Sequence, residues 1–113
     1  PHVQKGALHA LAVTNASPSA IAPGLPTIAD SGLPGFEALQ WFGILMPANT
    51  PKSIVDRMNL EIVAILGMPD IRDRFTSMGI DIAASSPEEF ATFMASEAAK
   101  WQEIAKDAKV TVN

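Results

Sequence analysis

Ser31-Gly32-Leu33-Pro34-Gly35-Phe36-Glu37, followed shortly by Trp41-Phe42-Gly43, constrains the fold of this chain more than any other stretch. Gly32 and Gly35 have access to backbone angles closed to other residues, while Pro34 fixes its own φ and biases Leu33 toward an extended conformation. Such a segment is a stiff, turned connector rather than a helix. Directly after it, Leu39-Gln40-Trp41-Phe42-Gly43-Ile44-Leu45-Met46 is an apolar and aromatic run closed by Pro47, the pattern of a largely buried strand. The connector reads as a crossing between two domains, of which the chain carries unequal shares.

Upstream of the crossing, Ala7-Leu8-His9-Ala10-Leu11-Ala12-Val13-Thr14 is a short apolar run between Gly6 and the turn residues Asn15 and Ser17, which predicts a buried strand. Pro18, Pro23, Gly24 and Pro26 then enforce a loop, until Thr27 offers a cap for one helical turn through Asp30. Downstream, Thr50-Pro51 predicts an N-cap with proline at the first helical position. Ile54, Val55, Met58, Ile62 and Ile65 share one face of a helix that runs to about Leu66 and stops at Gly67. A second helix is expected from Pro69 to Gly79, with Asp70 in its first turn and Ile71, Phe75 and Met78 on one stripe. Ile80-Asp81-Ile82-Ala83 alternates like a short strand. Ser86-Pro87-Glu88-Glu89 is a capping box, and Phe90, Phe93, Met94, Trp101 and Ile104 mark the core side of the helix it starts. The tail from Lys109 to Asn113 extends that helix or adds a β segment. This order of elements belongs to the α/β class.

Composition narrows the function. With 113 residues, 48% of them hydrophobic, the chain is long enough for one modest core. A net charge of −4 gives no basic face for nucleic-acid phosphates or an anionic membrane surface. Every apolar stretch is broken by Pro, Gly or a charge well before the ~20 residues that span a bilayer. The absence of cysteine excludes disulfides and thiolate metal sites without identifying a compartment. Pro1-His2-Val3-Gln4-Lys5-Gly6 has neither an initiator Met nor the charged and apolar regions of a signal peptide, so the sequence reads as one that begins within a longer protein.

Several segments, taken in order, carry a family resemblance. They are Gly6 to Thr14, then Leu25-Pro26-Thr27-Ile28-Ala29-Asp30-Ser31-Gly32-Leu33-Pro34-Gly35-Phe36-Glu37, then Trp41-Phe42-Gly43. Pro47-Ala48-Asn49-Thr50-Pro51, Met78-Gly79-Ile80 and Ser86-Pro87-Glu88-Glu89-Phe90 follow. Each motif is weak alone, but the ordered set at these spacings is specific. Across its whole length the chain resembles the C-terminal portion of the tripartite tricarboxylate transporter receptors, the Bug family of bacterial extracytoplasmic solute-binding proteins. His9 and Asn49 are mild departures, standing where the family usually has a basic residue and a glycine.

The resemblance implies an α/β fragment of a type II periplasmic-binding-protein-like fold, whose two domains close on a small carboxylated solute. Residues 1–35 would be a remnant of the second, crossed-over domain, ending in a hinge at Gly32, Pro34 and Gly35. Residues 36–113 would be the C-terminal part of the first domain, in the order strand, helix, helix, strand, helix. It further implies a periplasmic location, membrane transporter subunits as partners, a small organic acid or amino acid as ligand in the intact parent, and no cofactor. Backbone amides, hydroxyls and ordered water can hold carboxylates without dedicated basic side chains.

The candidate ligand-binding residues are Thr14, Asn15, Trp41 and Phe42. Thr14 and Asn15 end the first predicted strand, where open α/β sheets place ligands, and offer a hydroxyl and an amide; ordinary turn chemistry is the commoner explanation of such residues. Trp41 and Phe42 either wall the cleft or pack on the helix after Pro51, and strand alternation lets at most one of them face a pocket. Other residues are poorer candidates. His2 and His9 lack acidic or thiol neighbours at metal-ligand spacing. Ser31 beside Asp30 is not set in a Gly-x-Ser-x-Gly elbow, and Glu88 and Glu89 oppose a helix dipole. No nucleophile, base and orienting group occur together, so the sequence does not read as an enzyme. The alternative to a receptor is a self-associating fragment, as a homodimer or with its first strand swapped, or a small standalone α/β interaction module.

Overall fold

The computed structural model describes His2, Val3 and residues 5–110. Among the described residues three helices form, each close to its sequence expectation: α1 (Lys52–Leu66), α2 (Pro69–Ser77) and α3 (Pro87–Asp107). Two compact units divide the chain. One is drawn from Pro1–Leu45 with Arg72–Ile82, the other from Met46–Ile71 with Ala83–Asn113.

The second unit holds α1 and α3. At the start of α1 the cap expected at Thr50 moves to Pro51, which has extended backbone angles (φ −54°, ψ 137°) and whose carbonyl accepts from the Ile54 and Val55 N–H groups. The Thr50 hydroxyl is committed elsewhere, donating to the Pro47 carbonyl at 2.8 Å across a turn in which Asn49 has φ 66°. α3 starts as its sequence predicts. Ser86 Oγ accepts from the Glu89 N–H, Glu89 Oε2 accepts from the Ser86 N–H at 2.8 Å, and Pro87 takes the first turn. This satisfies two donors that a helix start leaves orphaned. Asn59 of α1 donates its Nδ2 to the Ser85 carbonyl at 2.8 Å, and Lys52 pairs with both Asp56 and Glu88. Those ion pairs are solvent-exposed and contribute little.

The helix ends differ in chemistry. α2 closes in a Schellman arrangement, the Ile80 N–H donating to Phe75 O and the Gly79 N–H to Thr76 O, with Gly79 at φ 75°. α3 closes in the same way with Lys109 in the left-handed position, φ 51°, where glycine is usual. The helix therefore stops before the tail; Thr111, Val112 and Asn113, expected to extend it or to form a β segment, lie outside the described residues.

The strands expected at 7–14, 39–46 and 80–83 do not appear as ladders. Among the described residues a single parallel bridge, Val13 to Thr27, is formed. Its limits are chemical. The Val13 N–H donates to Pro26 O and the Ile28 N–H to Val13 O, both at 2.9 Å. One step toward the N-terminus the ladder needs an N–H from Pro26, which has none. One step the other way it needs the Asp30 N–H, already bound to Thr27 Oγ1 at 2.9 Å. The expected turn at 27–30 does form, and its cap is what ends the bridge.

The stripes expected to line a core are only partly covered. Val55, Ile62, Phe75, Phe90, Phe93 and Met94 are half-buried, whereas Ile54, Met58, Ile65, Met78, Trp101 and Ile104 are exposed. Among the described residues no hydrophobic side chain is fully buried; the buried ones are Ser19, Thr27 and Glu97. Helical periodicity selects the face, but covering that face takes more surface than the rest of the chain supplies. No helix among the described residues is long and apolar enough to cross a membrane.

Candidate functional site

Thr14 and Asn15 follow the Val13 bridge at the point where three stretches of backbone meet. Residues 26–28 hold Val13 from one side, and the Ala38 N–H donates to the Thr14 carbonyl at 3.0 Å from another. Thr14, its carbonyl engaged, is exposed, and Asn15 is half-buried within the bend that follows. The Ala38 bond also ties this corner to the segment that carries Trp41 and Phe42 a few residues later. Both rings are exposed, Phe42 the more so.

The corner is braced by Thr27, the most deeply buried side chain described. Its hydroxyl donates to Asp30 Oδ2 at 2.7 Å while accepting the Asp30 N–H, and Ser31 Oγ donates to the Thr27 carbonyl at 2.7 Å. The Thr27 hydroxyl thereby both donates and accepts, which offsets the cost of burying it. The connector leaves from this turn. Gly32 and Gly35 have φ of 117° and 79°, values that side-chain-bearing residues adopt with strain, and the Phe36 N–H closes onto Leu33 O around Pro34.

Two further polar constellations carry no long-range sequence signal. Ser19 Oγ donates to Asp81 Oδ2 at 2.7 Å and accepts from the Ile21 N–H at 3.3 Å. Asp81 in turn lies in the wall of a shallow open hollow of about 220 Å³, lined by Arg72 and Thr76 of α2 with Ile80 and Ile82. Thr14, Asn15, Trp41 and Phe42 do not line that hollow. In the second unit, Glu97 of α3 is buried. It accepts from Trp101 Nε1 at 3.0 Å and pairs with Lys100, whose ammonium sits 5.7 Å from the Trp101 ring centre. The spacing of Glu97, Lys100 and Trp101 along a helix was a readable sign of this cluster. The Ser19 to Asp81 bond joins residues 62 positions apart, beyond the reach of local pattern.

The helix-start carboxylates are held below their ordinary values. For Glu89 the cause is the Ser86 backbone N–H and then its hydroxyl; for Glu88 it is its own backbone N–H and then Lys52. Lys52 is raised, chiefly by Asp56 and next by Glu88. These shifts belong to helix capping and surface pairing, not to proton transfer.

Comparison with known proteins decides the relationship. The sequence profile of the tripartite tricarboxylate transporter family receptor matches residues 1–110. The chain belongs to that family. Among curated relatives, a UPF0065 protein from the tcbD-tcbE intergenic region of Pseudomonas sp. (strain P51) is 37% identical over 107 residues, which is 94% of this chain and 32% of the relative. The protein BugT of Bordetella pertussis is 28% identical over 106 residues, again 94% of this chain and 32% of BugT. A solved structure, R. palustris Rpa4515 with adipate, matches with a TM-score of 0.75 at 32% identity, over 98% of this chain and 37% of its own. The chain thus spans about a third of the length of these relatives. Its fold class is α/β, part of the two-domain periplasmic-binding type, and its family is one of receptors, not enzymes.

Proposed function

We propose that this chain is a solute-binding component of a tripartite tricarboxylate-type uptake system, working in the periplasm and binding a small carboxylated solute without catalysis. The observation that carries the reading is the receptor-family match over residues 1–110, together with a similar structure that holds adipate, a dicarboxylate. In this reading residues 1–35 belong to the second domain and residues 36–113 to the first, and Gly32, Pro34 and Gly35 form the hinge. The left-handed backbone at both glycines supports that role, because it lets the chain reverse direction around a rigid proline. Thr14 and Asn15 supply a hydroxyl and an amide to one carboxylate, and Trp41 and Phe42 supply apolar contact. Membrane transporter subunits receive the solute.

The test grafts this chain in place of the matching third of Rpa4515 and measures adipate binding by calorimetry. Saturable binding is expected, weakened about tenfold or more by Thr14→Val, as for loss of a hydrogen bond to a charged group. A folded graft that gives no heat with adipate, citrate or glutamate refutes the carboxylate reading. Binding that Thr14→Val and Asn15→Ala both leave unchanged removes these two residues from the site.

A further inference from the structure

The hollow beside α2 brings two opposite charges to one place without pairing them. Arg72 and Thr76 stand one turn apart on the same face of the helix. The left-handed turn at Gly79 then returns Ile80, Asp81 and Ile82 to that face, and these residues together line the open hollow of about 220 Å³ within one compact unit. Among the described residues the Arg72 guanidinium makes neither an ion pair nor a side-chain hydrogen bond. Asp81 makes no ion pair either; its Oδ2 accepts from Ser19 at 2.7 Å, and its Oδ1 has no partner among them. A long guanidinium that shares a hollow with a carboxylate ordinarily closes onto it, often with two hydrogen bonds. Here the carboxylate is fastened through Ser19, a buried residue, so it is held ready rather than free to swing toward the arginine.

We propose that this hollow is an accessory site for a small zwitterion of the amino-acid class. Arg72 receives the carboxylate and Thr76 offers it a hydroxyl donor. Asp81 Oδ1 accepts from the ammonium, and Ile80 and Ile82 wall the short aliphatic part between the two charges. A ligand with one charge would leave the other protein group unmatched, so the pair favours a molecule that carries both. Volume sets the size: the hollow is smaller than the ~300–1,000 Å³ of pockets that enclose drug-sized ligands and suits a molecule of a few heavy atoms. Thr14, Asn15, Trp41 and Phe42 do not line it, so the proposal does not rest on the carboxylate reading.

The test adds glycine, β-alanine or γ-aminobutyrate to the graft of this chain into Rpa4515, with adipate in excess, and follows amide shifts by NMR. The three probes carry the same two charges at increasing separation. Saturable shifts at Arg72, Thr76 and Ile80 to Ile82 are expected with at least one of them, at a Kd of roughly millimolar order, as suits charges that water still reaches. Arg72→Met and Asp81→Asn should each weaken that binding about fivefold or more; the asparagine still accepts from Ser19, so the loop stays fastened. Lys52→Met, in the other compact unit, removes a charge of the same sign as Arg72 and should leave the binding unchanged. Absence of saturable shifts at these residues with all three probes overturns the proposal. Equal binding of acetate or methylammonium overturns it as well, because one charge would then suffice, and so does binding that survives both Arg72→Met and Asp81→Asn. Adipate binding is scored on the same graft without any amino acid, so failure of this site and failure of the carboxylate reading are separate results.

Discussion

Ser19 and Asp81, 62 positions apart, are joined by a 2.7 Å hydrogen bond in which the serine hydroxyl donates and the carboxylate accepts. The bond fastens the proline-rich loop to the segment that follows α2, within one compact unit. Ser19 is buried and also receives the Ile21 N–H, so its hydroxyl organises the loop as well as the long-range contact. Ser19→Ala should destabilise this unit by about 1 kcal/mol, the usual net worth of such a bond, and speed exchange of the Ile21 amide. Asp81 is exposed and regains water, which keeps the loss from being larger. Unchanged exchange at Ile21 would contradict the assignment.

Thr27 offers a stronger case. Its side chain is fully buried and makes both bonds to Asp30, so Thr27→Val preserves shape while stranding the Asp30 N–H. We expect a loss of about 1–2 kcal/mol in urea denaturation, in the range of helix N-cap removals. The Asp30 amide should become one of the faster-exchanging positions of the turn.

Lys109 should be replaceable with profit. Its left-handed backbone costs a lysine about 1 kcal/mol that a glycine does not lose, and it already sits in the glycine position of the closing motif of α3. Lys109→Gly is expected to raise stability by about 0.5–1 kcal/mol, seen as a higher denaturation midpoint. A lower midpoint would mean that the lysine side chain contributes more than its backbone costs.

The start of α3 should be sensitive to acid. Glu89 and Glu88 have depressed values in the folded chain, so their stabilisation is present above the ordinary glutamate value of about 4.3 and is lost as pH falls through their folded values. Lys52 has the opposite sign: its contribution is complete below the ordinary lysine value of about 10.4 and fades as pH rises through its raised one. Helical dichroism followed from pH 6 down to about 3 should fall earlier for wild type than for Glu89→Gln, whose side chain keeps an acceptor without a titration. Identical acid profiles would detach the capping box from the pH response.

What the sequence made legible was local. Ser86, Pro87 and Glu89 meet within one turn, so their types and spacing dictate their geometry, and Thr27 with Asp30 repeats that logic. Thr50 misled because the same Thr-Pro pair serves two purposes, and here the hydroxyl closes a turn onto Pro47 while Pro51 opens the helix. The strands were read from apolar runs that are present, but a strand needs a ladder partner. Pro26 lacks the donor that would extend the first one, and residues 42–46 have no backbone partner among the described residues. At the candidate site, residue types pointed to Thr14 and Asn15, whereas the clamp of Ala38 onto Thr14 and the Ser19 to Asp81 bond depend on chain folding over distances that no motif spans.

The Val13 to Thr27 bridge has a consequence for how this loop can change by insertion and deletion. A ladder of several rungs can slip by two residues and re-form; one rung with a proline below it and a committed amide above it cannot. Residues added between Asn15 and Leu25 lengthen the loop without altering which positions meet, at about 0.6 kcal/mol for each doubling of its length. Apart from Ser19, which its bond to Asp81 holds in place, the loop is therefore free to vary in size beside a corner whose alignment stays fixed.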